Sequence, residues 1–316
     1  MEERLKLDFE KNLKNLNFSS KEIKTKQNYL SRFLKVGIPN RNLENWKFSD
    51  LSQIIKKNIG ELSFYNDYSS SNKIDSSIFV SGLEQNKIVF VNGRVEKIDF
   101  QHEEKDKIEI IENTELDHNL KNINSLVDLN NAFTNKHLKI IIKNNYELKK
   151  PLIIYHSTNQ KIKSKNINIR LDFLLEKNSC LKIIDIFNDS SEKNFVNVFY
   201  NFNINKDSIL KNYKIDKLKN NNIKYSYNNI NQDDNSVSET FIFSAGSSFL
   251  KNEINCNLNG KYSSAFVNGI FSLKDKNHHE IRTSINHLIE NTKSYQLIKS
   301  VSENDTKAVY QGKIFV

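Results

Sequence analysis

Residues 277–316 read NHHEIRTSINHLIENTKSYQLIKSVSENDTKAVYQGKIFV, with no proline and one glycine. Their period-two alternation marks strands. In the piece 279–288, His279, Ile281, Thr283, Ile285 and His287 share one face. His278, Glu280, Arg282, Ser284 and Asn286 share the other, because successive side chains of a strand point to opposite sides. The two isoleucines mark the first face as inward. Its two histidines lie roughly 26 Å apart along an extended strand, too far to hold one metal ion together. Each reads first as a hydrogen-bonded core or corner histidine. His278 and Glu280, roughly 7 Å apart on the polar face, are near enough to share a metal or a polar network, with no third ligand close in sequence.

The next strand places Lys299 in an apolar row with Tyr295, Leu297 and Val301. Such a lysine either snorkels from the edge or, partly buried, becomes a functional amine with a depressed pKa. The last strand alternates Ala308, Tyr310, Gly312, Ile314 and Val316 against Val309, Gln311, Lys313 and Phe315. Both rows are largely apolar, so this strand is expected to pack on both sides and to leave an apolar edge that natural domains cap.

The same texture extends back to about residue 78. Short β-branched runs at 88–91, 108–111, 138–142, 152–155, 167–175, 181–187, 195–204, 223–227, 240–243, 249–258 and 262–273 are separated by clusters of Asn, Asp, Ser and Lys. One helical interruption is expected at Asn124–Phe133. So many strands fit a sandwich, a barrel or a parallel β-helix. Asn92-Gly93 is the clearest hairpin signal, and only eight glycines and two prolines serve the whole chain. Asparagine is common at the turns and tolerates the left-handed conformation that β-helix corners need. These features favour the β-helix, an irregular one, since no strict short repeat is visible.

Upstream, residues 1–58 read helical. Leu5, Phe9, Leu13 and Leu16 recur at helical spacing, and Ser19 or Ser20 with Glu22 resembles a helix start. Residues 60–77 are rich in Ser and Asn and read as a linker. The fold class is therefore mainly β, a parallel β-helix core over 78–316 behind an α-helical region and linker at 1–77.

Composition narrows function by exclusion. The net charge of +9 invites a nucleic-acid reading, but 38 acidic residues are interleaved with the basic ones and no arginine cluster appears. No run approaches a membrane span, and the charged N-terminus lacks an apolar signal core, so a soluble, cytoplasmic protein is expected. Cys180 and Cys256, with no CxxC, read as small buried residues of strands, Cys256 remaining a metal candidate beside His278 and Glu280. No glycine-rich phosphate loop, GxSxG, HExxH or zinc spacing occurs. A β-helix enzyme acting on polysaccharide would need converging carboxylates, and Asp185, Asp233, Asp234 and Glu239 are the available ones, read first as turn and surface residues.

The tail resembles the SufB/SufD family of iron–sulfur cluster assembly proteins, whose core pattern runs roughly H-x-D-x-x-T-x-x-x-H, S-x-Q-x-x-K and F-x-G-x-I-x-V. The matching positions are His278 or His279, Glu280 in place of Asp, Thr283, His287, Ser294, Gln296, Lys299, Tyr310 in place of Phe, Gly312, Ile314 and Val316. Gly37-Ile-Pro39 followed by Glu44-Asn-Trp46-Lys-Phe-Ser-Asp-Leu51 is similar to SufD-type N-termini, and Leu126–Phe133 is similar to the segment before the core. The resemblance implies a right-handed parallel β-helix and a non-catalytic scaffold subunit. It implies pairing with a SufB-like subunit and a SufC-like ATPase, compatible also with a homodimer, and no nucleic-acid or membrane partner. It implies no tightly bound cofactor, the iron–sulfur cluster forming transiently at a SufB interface. Family members continue past the F-x-G-x-I-x-V strand, so the expectation is that the last β-helix strands and the C-terminal helical domain that binds SufC are missing here.

Overall fold

The computed structural model describes the 316-residue chain except residues 1, 16–17, 65–72, 113–123, 135, 159–161, 190 and 219–220. Helices α1 (Glu2–Asn15), α2 (Ser20–Val36) and α3 (Leu51–Asn58) come first, and α4 (Ser125–Phe133) interrupts the strands. Strands β1 (Ser63–Phe64), β2 (Asn86–Val91), β3 (Arg94–Asp99), β4 (Ile108–Glu112) and β5 (Leu138–Ile142) are short. Then come β6 (Leu152–Thr158), β7 (Lys165–Leu175), β8 (Cys180–Asp189), β9 (Phe195–Ile204), β10 (Ile209–Leu218) and β11 (Ile223–Gln232). The series closes with β12 (Val237–Gly246), β13 (Phe249–Leu258), β14 (Ser264–Leu273), β15 (His278–His287), β16 (Lys293–Ser302) and β17 (Lys307–Phe315).

From β6 on, the chain alternates between two sheets. One sheet runs β17-β15-β13-β11-β9-β7-β5-β4, with β1 also on β7; the other runs β16-β14-β12-β10-β8-β6-β2-β3. All pairings are parallel except the β2–β3 and β4–β5 edges. The result is a parallel β-solenoid of about 6 turns behind N-terminal helices. We call the sheet of odd-numbered core strands the odd sheet and its mate the even sheet. Parallel neighbours require a crossover, and here the crossover is the strand of the opposite sheet.

Corners carry the backbone strain. Asn145, Asn178, Asn221, Asn235, Asn291 and Asn304 all adopt φ between 53° and 70°, the left-handed region that asparagine tolerates better than other side chains. Asn92-Gly93, at φ 56° and 78°, turns the β2–β3 hairpin as its sequence demands. The lumen is apolar toward its first coils, with Ile140, Leu152, Ile154, Leu171 and Phe173 within 1% of full burial. On the outside of the odd sheet, in-register asparagines form amide ladders: Asn229 Nδ2 donates to Asn201 at 2.8 Å and Asn255 to Asn229 at 3.0 Å. A parallel column runs from Asn286 through Asn257 and Asn231 to Asn203.

The N-terminal helices lie on the outer face of the odd sheet. Ser19 and Glu22 form a capping box at α2, and Asp50 and Asn124 cap α3 and α4. Phe9, Phe33, Trp46, Leu51 and Phe133 pack with Phe199 and Tyr225 of the sheet in one apolar cluster. Asn130 of α4 donates to the carbonyls of Ile169 and Asn197, at 3.1 and 2.8 Å, so the helix is bonded to the sheet as well as packed on it.

Two sequence expectations need correction. Among the described residues the last strand is the edge of its sheet and is not packed on both sides: Val309 is the one buried residue of β17, and Tyr310, Ile314 and Phe315 are 43–55% exposed. Asp185 is not a turn or surface residue; it lies wholly buried in the lumen, where cations neutralise it. Strand β10, absent from the runs read above, is also present.

Candidate functional site

The family-like positions gather in two places, on opposite sides of the odd sheet. The first is a charged clamp on its outer face. Parallel register sets Lys251 beside Glu280, Glu253 beside Arg282 and Phe249 beside His278. Over this patch a short 3-10 helix, Glu44–Trp46, lays the Trp46 ring onto Tyr225 and Phe249, with centroids 5.6 and 6.3 Å away. Lys251 Nζ sits 4.5 Å from the Trp46 ring centre, donates to the Asn45 carbonyl at 2.6 Å and to Glu280 Oε2 at 2.6 Å. His278 Nε2 lies 2.8 Å from the other oxygen of Glu280, and Arg282 lies 3.6 Å from Glu253.

Trp46 is 2% exposed and Lys251 0%, so these charges interact with little screening by water. Burial pushes the Glu280 carboxyl up, but His278 and Lys251 outweigh it and hold it at about 2. Burial wins at Glu253, whose carboxyl is raised despite Lys251 and Arg282. The arrangement fastens the segment 44–48 to β13, β15 and β17, the last through Lys307, which donates to the Phe48 carbonyl at 2.6 Å. His278 and Glu280 thus lie within ion-pair distance of each other.

The second place is the lumen at the last two coils. Gln296 on β16 reaches across from the even sheet and accepts from Thr283 on β15 and from the Tyr310 hydroxyl on β17, the latter at 2.6 Å. Gly312 neighbours Thr283 in register, and a Cβ there would come within 2.7 Å of the Tyr310 hydroxyl. Beside them His287 Nδ1 lies 2.6 Å from the Thr292 hydroxyl and Nε2 lies 3.0 Å from Ser294. Thr283 and Tyr310 with Gln296, and His287 with Ser294, thus form cross-braces between the sheets, and Gly312 leaves room for the Tyr310 hydroxyl. His279, the other inward histidine, bonds Ser244 and the Gly246 carbonyl at 2.8 and 2.7 Å, and burial lowers its pKa to about 4.

Lys299 joins neither group. It is exposed on the outer face of β16, the snorkelling outcome. Cys256 faces the lumen at 0% exposure, and burial pushes its thiol up to about 12 against a bond from Ser238. The β13 backbone separates it from His278 and Glu280, so the three metal candidates do not converge. Among the described residues no group of three or more His, Cys, Asp and Glu is placed to hold a metal ion. Cys180 is half-buried at the start of β8, and burial with the nearby Glu147 raises its thiol. Glu239 is on the outer face, 3.3 Å from Lys211, whereas Asp185 is inside; the carboxylates a polysaccharide enzyme would need do not share a groove.

Sequence reasoning missed a third feature, a chain of charges inside the middle coils. Asp185 Oδ2 accepts from Lys214 at 2.9 Å, and its Oδ1 meets His156 Nε2 at 2.7 Å and Tyr200 at 3.1 Å. One coil on, Lys224 bonds Asp216, which also accepts from Asn252 at 3.1 Å. Burial raises Asp185, but Lys214 and His156 hold it far below the usual carboxylate range. Burial lowers Lys224 to about 8 even with Asp216 beside it. The signal was present in β10: Leu210 and Leu218 bound an inward row whose middle is Asn212, Lys214 and Asp216.

Among the described residues no helix is long and apolar enough to cross a membrane. No curated protein matches the chain. The family model for the SufBD core domain of the SUF system of FeS cluster assembly matches residues 154–316, just over half of the chain and the span that holds both motif clusters except Trp46. The chain belongs to the SufB/SufD family, with a role in iron–sulfur cluster assembly.

Proposed function

We propose that this chain is a SufD-type, non-catalytic scaffold subunit of a cytoplasmic Suf complex, pairing with a SufB-like subunit and a SufC-like ATPase. The iron–sulfur cluster is its cargo, formed transiently against the SufB-like partner. The observation that carries this reading is the clamp. The Gly37–Leu51 stretch, similar to SufD-type N-termini, is the segment whose Trp46 packs against Lys251 of the SufBD core, itself bonded to Glu280. Two motifs far apart in the chain meet as one unit, as expected if both belong to one functional type. The motif side chains are spent on one another, which supports a scaffold over a catalyst: Gln296, Thr283 and Tyr310 bond mutually, and both ring nitrogens of His287 are engaged. Domain organisation follows the same reading, with an N-terminal helical region and linker at 1–77 and the β-helix core at 78–316.

Co-expression with SufB-like and SufC-like subunits from one operon tests the proposal. Recovery of a stable complex of defined stoichiometry is the expected result. Recovery of the chain alone, with the other two still pairing with each other, contradicts it.

A further inference from the structure

The outer face of the even sheet carries two apolar rows that cross the strands along the solenoid axis. Register aligns Ile184, Tyr213, Phe241, Asn268 and Leu297 in one, and Ile186, Ile215, Phe243, Ile270 and Lys299 in the other. At its first strands the chain covers this face itself. Ile74, Ile78 and Phe79 pack on Val89, Val91, Ile153 and Tyr155, together with Ile184 and Ile186 at the head of both rows. From β10 onward the rows meet solvent: Tyr213 is 40% exposed and Leu297 42%, with Tyr295 at 54% and Val301 at 66% beside them. Contiguous apolar surface of this kind on a polar, +9 chain marks an interaction site.

Shape and charge select the occupant. The four strands β10 to β16 at ~4.8 Å spacing make a track roughly 14 Å long, the length of about 10 residues of α-helix. The spare charge at its rim is positive. Lys182 and Lys211 are paired with Glu147 and Glu239 at 2.9 and 3.3 Å, while Lys217, Lys293 and Lys299 are exposed. A second copy of this chain would set the same lysines against these. The odd sheet shows how this solenoid closes an outer face, by seating a helix across its strands, as α4 does over β7 and β9.

We propose that the outer face of β10, β12, β14 and β16 is a docking track for an amphipathic helix of a partner protein, its apolar stripe flanked by Asp and Glu. The inference does not depend on the SufD-type reading. It continues a surface that this chain already uses to seat its own residues 74–79.

The probe is a labelled synthetic helix of about 16 residues with Leu at helical i, i+3, i+4 and i+7 positions and Glu flanking them, compared with its Lys-flanked counterpart. Anisotropy titrations against the full chain are expected to show saturable, salt-sensitive binding of the Glu-flanked helix only. The double variant Phe241→Ser/Phe243→Ser should weaken it about ten-fold or more, with circular dichroism and Trp46 emission unchanged. Lys299→Glu, which leaves every apolar side chain of the rows in place, should weaken the Glu-flanked helix and improve the Lys-flanked one. Equal binding of both helices, no binding of either, or a dimer of the chain that Phe243→Ser dissociates would overturn the proposal.

Discussion

Strands β10 and β11 are consecutive in the chain and equal in length, and they are covered differently. In β11 every residue but Asn231 is buried, on both faces; in β10 the lumen row is buried and the outer row is not. Outer-row apolarity does not explain this. The outer row of β11 holds Tyr225, Tyr227 and Asn229, and that of β10 holds Ile209, Tyr213 and Ile215. What differs is the layer on top. The odd sheet lies beneath α4 and the Trp46 segment, fixed by the buried pair Lys251–Glu280, whereas the even sheet is roofed by residues 74–79 near its first strands. A buried ion pair is weak evidence for stability but good evidence of a specified fit, because either charge left alone is costly. The fixed face is thus the one that buries its charges, and the free face leaves Lys217, Lys293 and Lys299 in solvent.

The comparison can be broken most severely at Trp46. Trp46→Ala removes the ring that floors Lys251 and should destabilise the N-terminal cover by about 3–5 kcal/mol in urea unfolding. An effect no larger than that of a surface substitution would mean the ring is not what holds the cover.

The lumen is common to both strands and serves as a control. Asp185→Leu leaves Lys214 buried without its partner and should cost about 3–5 kcal/mol, whereas Asp185→Leu with Lys214→Met should cost much less. Thermal melts of the single and paired variants decide this. A pair as damaging as the single would show that the charges do more than neutralise each other.

The clamp should also loosen in acid. Glu280 titrates at about 2 in the folded chain against 4.5 ordinarily. The unfolded chain therefore takes up that proton first, and the stability Glu280 contributes is complete above pH 4.5 and lost as pH falls toward 2. The loss is on the order of 3 kcal/mol. A Glu280→Gln variant should flatten the acid limb of the stability profile over that window; an unchanged limb would remove Glu280 from the account.

The smallest effect belongs to the free face. Phe243→Ser, at a half-buried outer-row position, should cost about 1 kcal/mol, less than any change above. A larger loss would show that the apolar rows are held by something within the chain.

The sequence disclosed much of this fold and less of its charge chemistry. The inward row of β15 was legible because Ile281 and Ile285 mark it, and the corners were legible because asparagine sits where φ turns positive. Strand β10 escaped because its inward row is charged, and the partner that makes this tolerable, Asp185 for Lys214, is 29 residues away on the preceding coil. Local patterning cannot reveal a charge neutralised across coils. The clamp is more remote still: Asn45 and Lys251 are 206 residues apart, and only folding brings them together. Likewise, alternation tells which row of a strand faces the lumen but says nothing about which outer face will be covered.

Trp46 is the chain's single tryptophan, so its emission reports the clamp and nothing else. The most direct measurement is urea unfolding of the full chain and of Lys251→Met, followed in parallel by Trp46 emission and far-ultraviolet circular dichroism. In the variant, emission should shift to the red at lower urea than the loss of strand signal, because the cover lifts from the odd sheet before the solenoid unwinds. If Lys251→Met leaves the Trp46 emission and its midpoint where they are in the unaltered chain, the cover is not fastened there, and the account of the two faces is wrong.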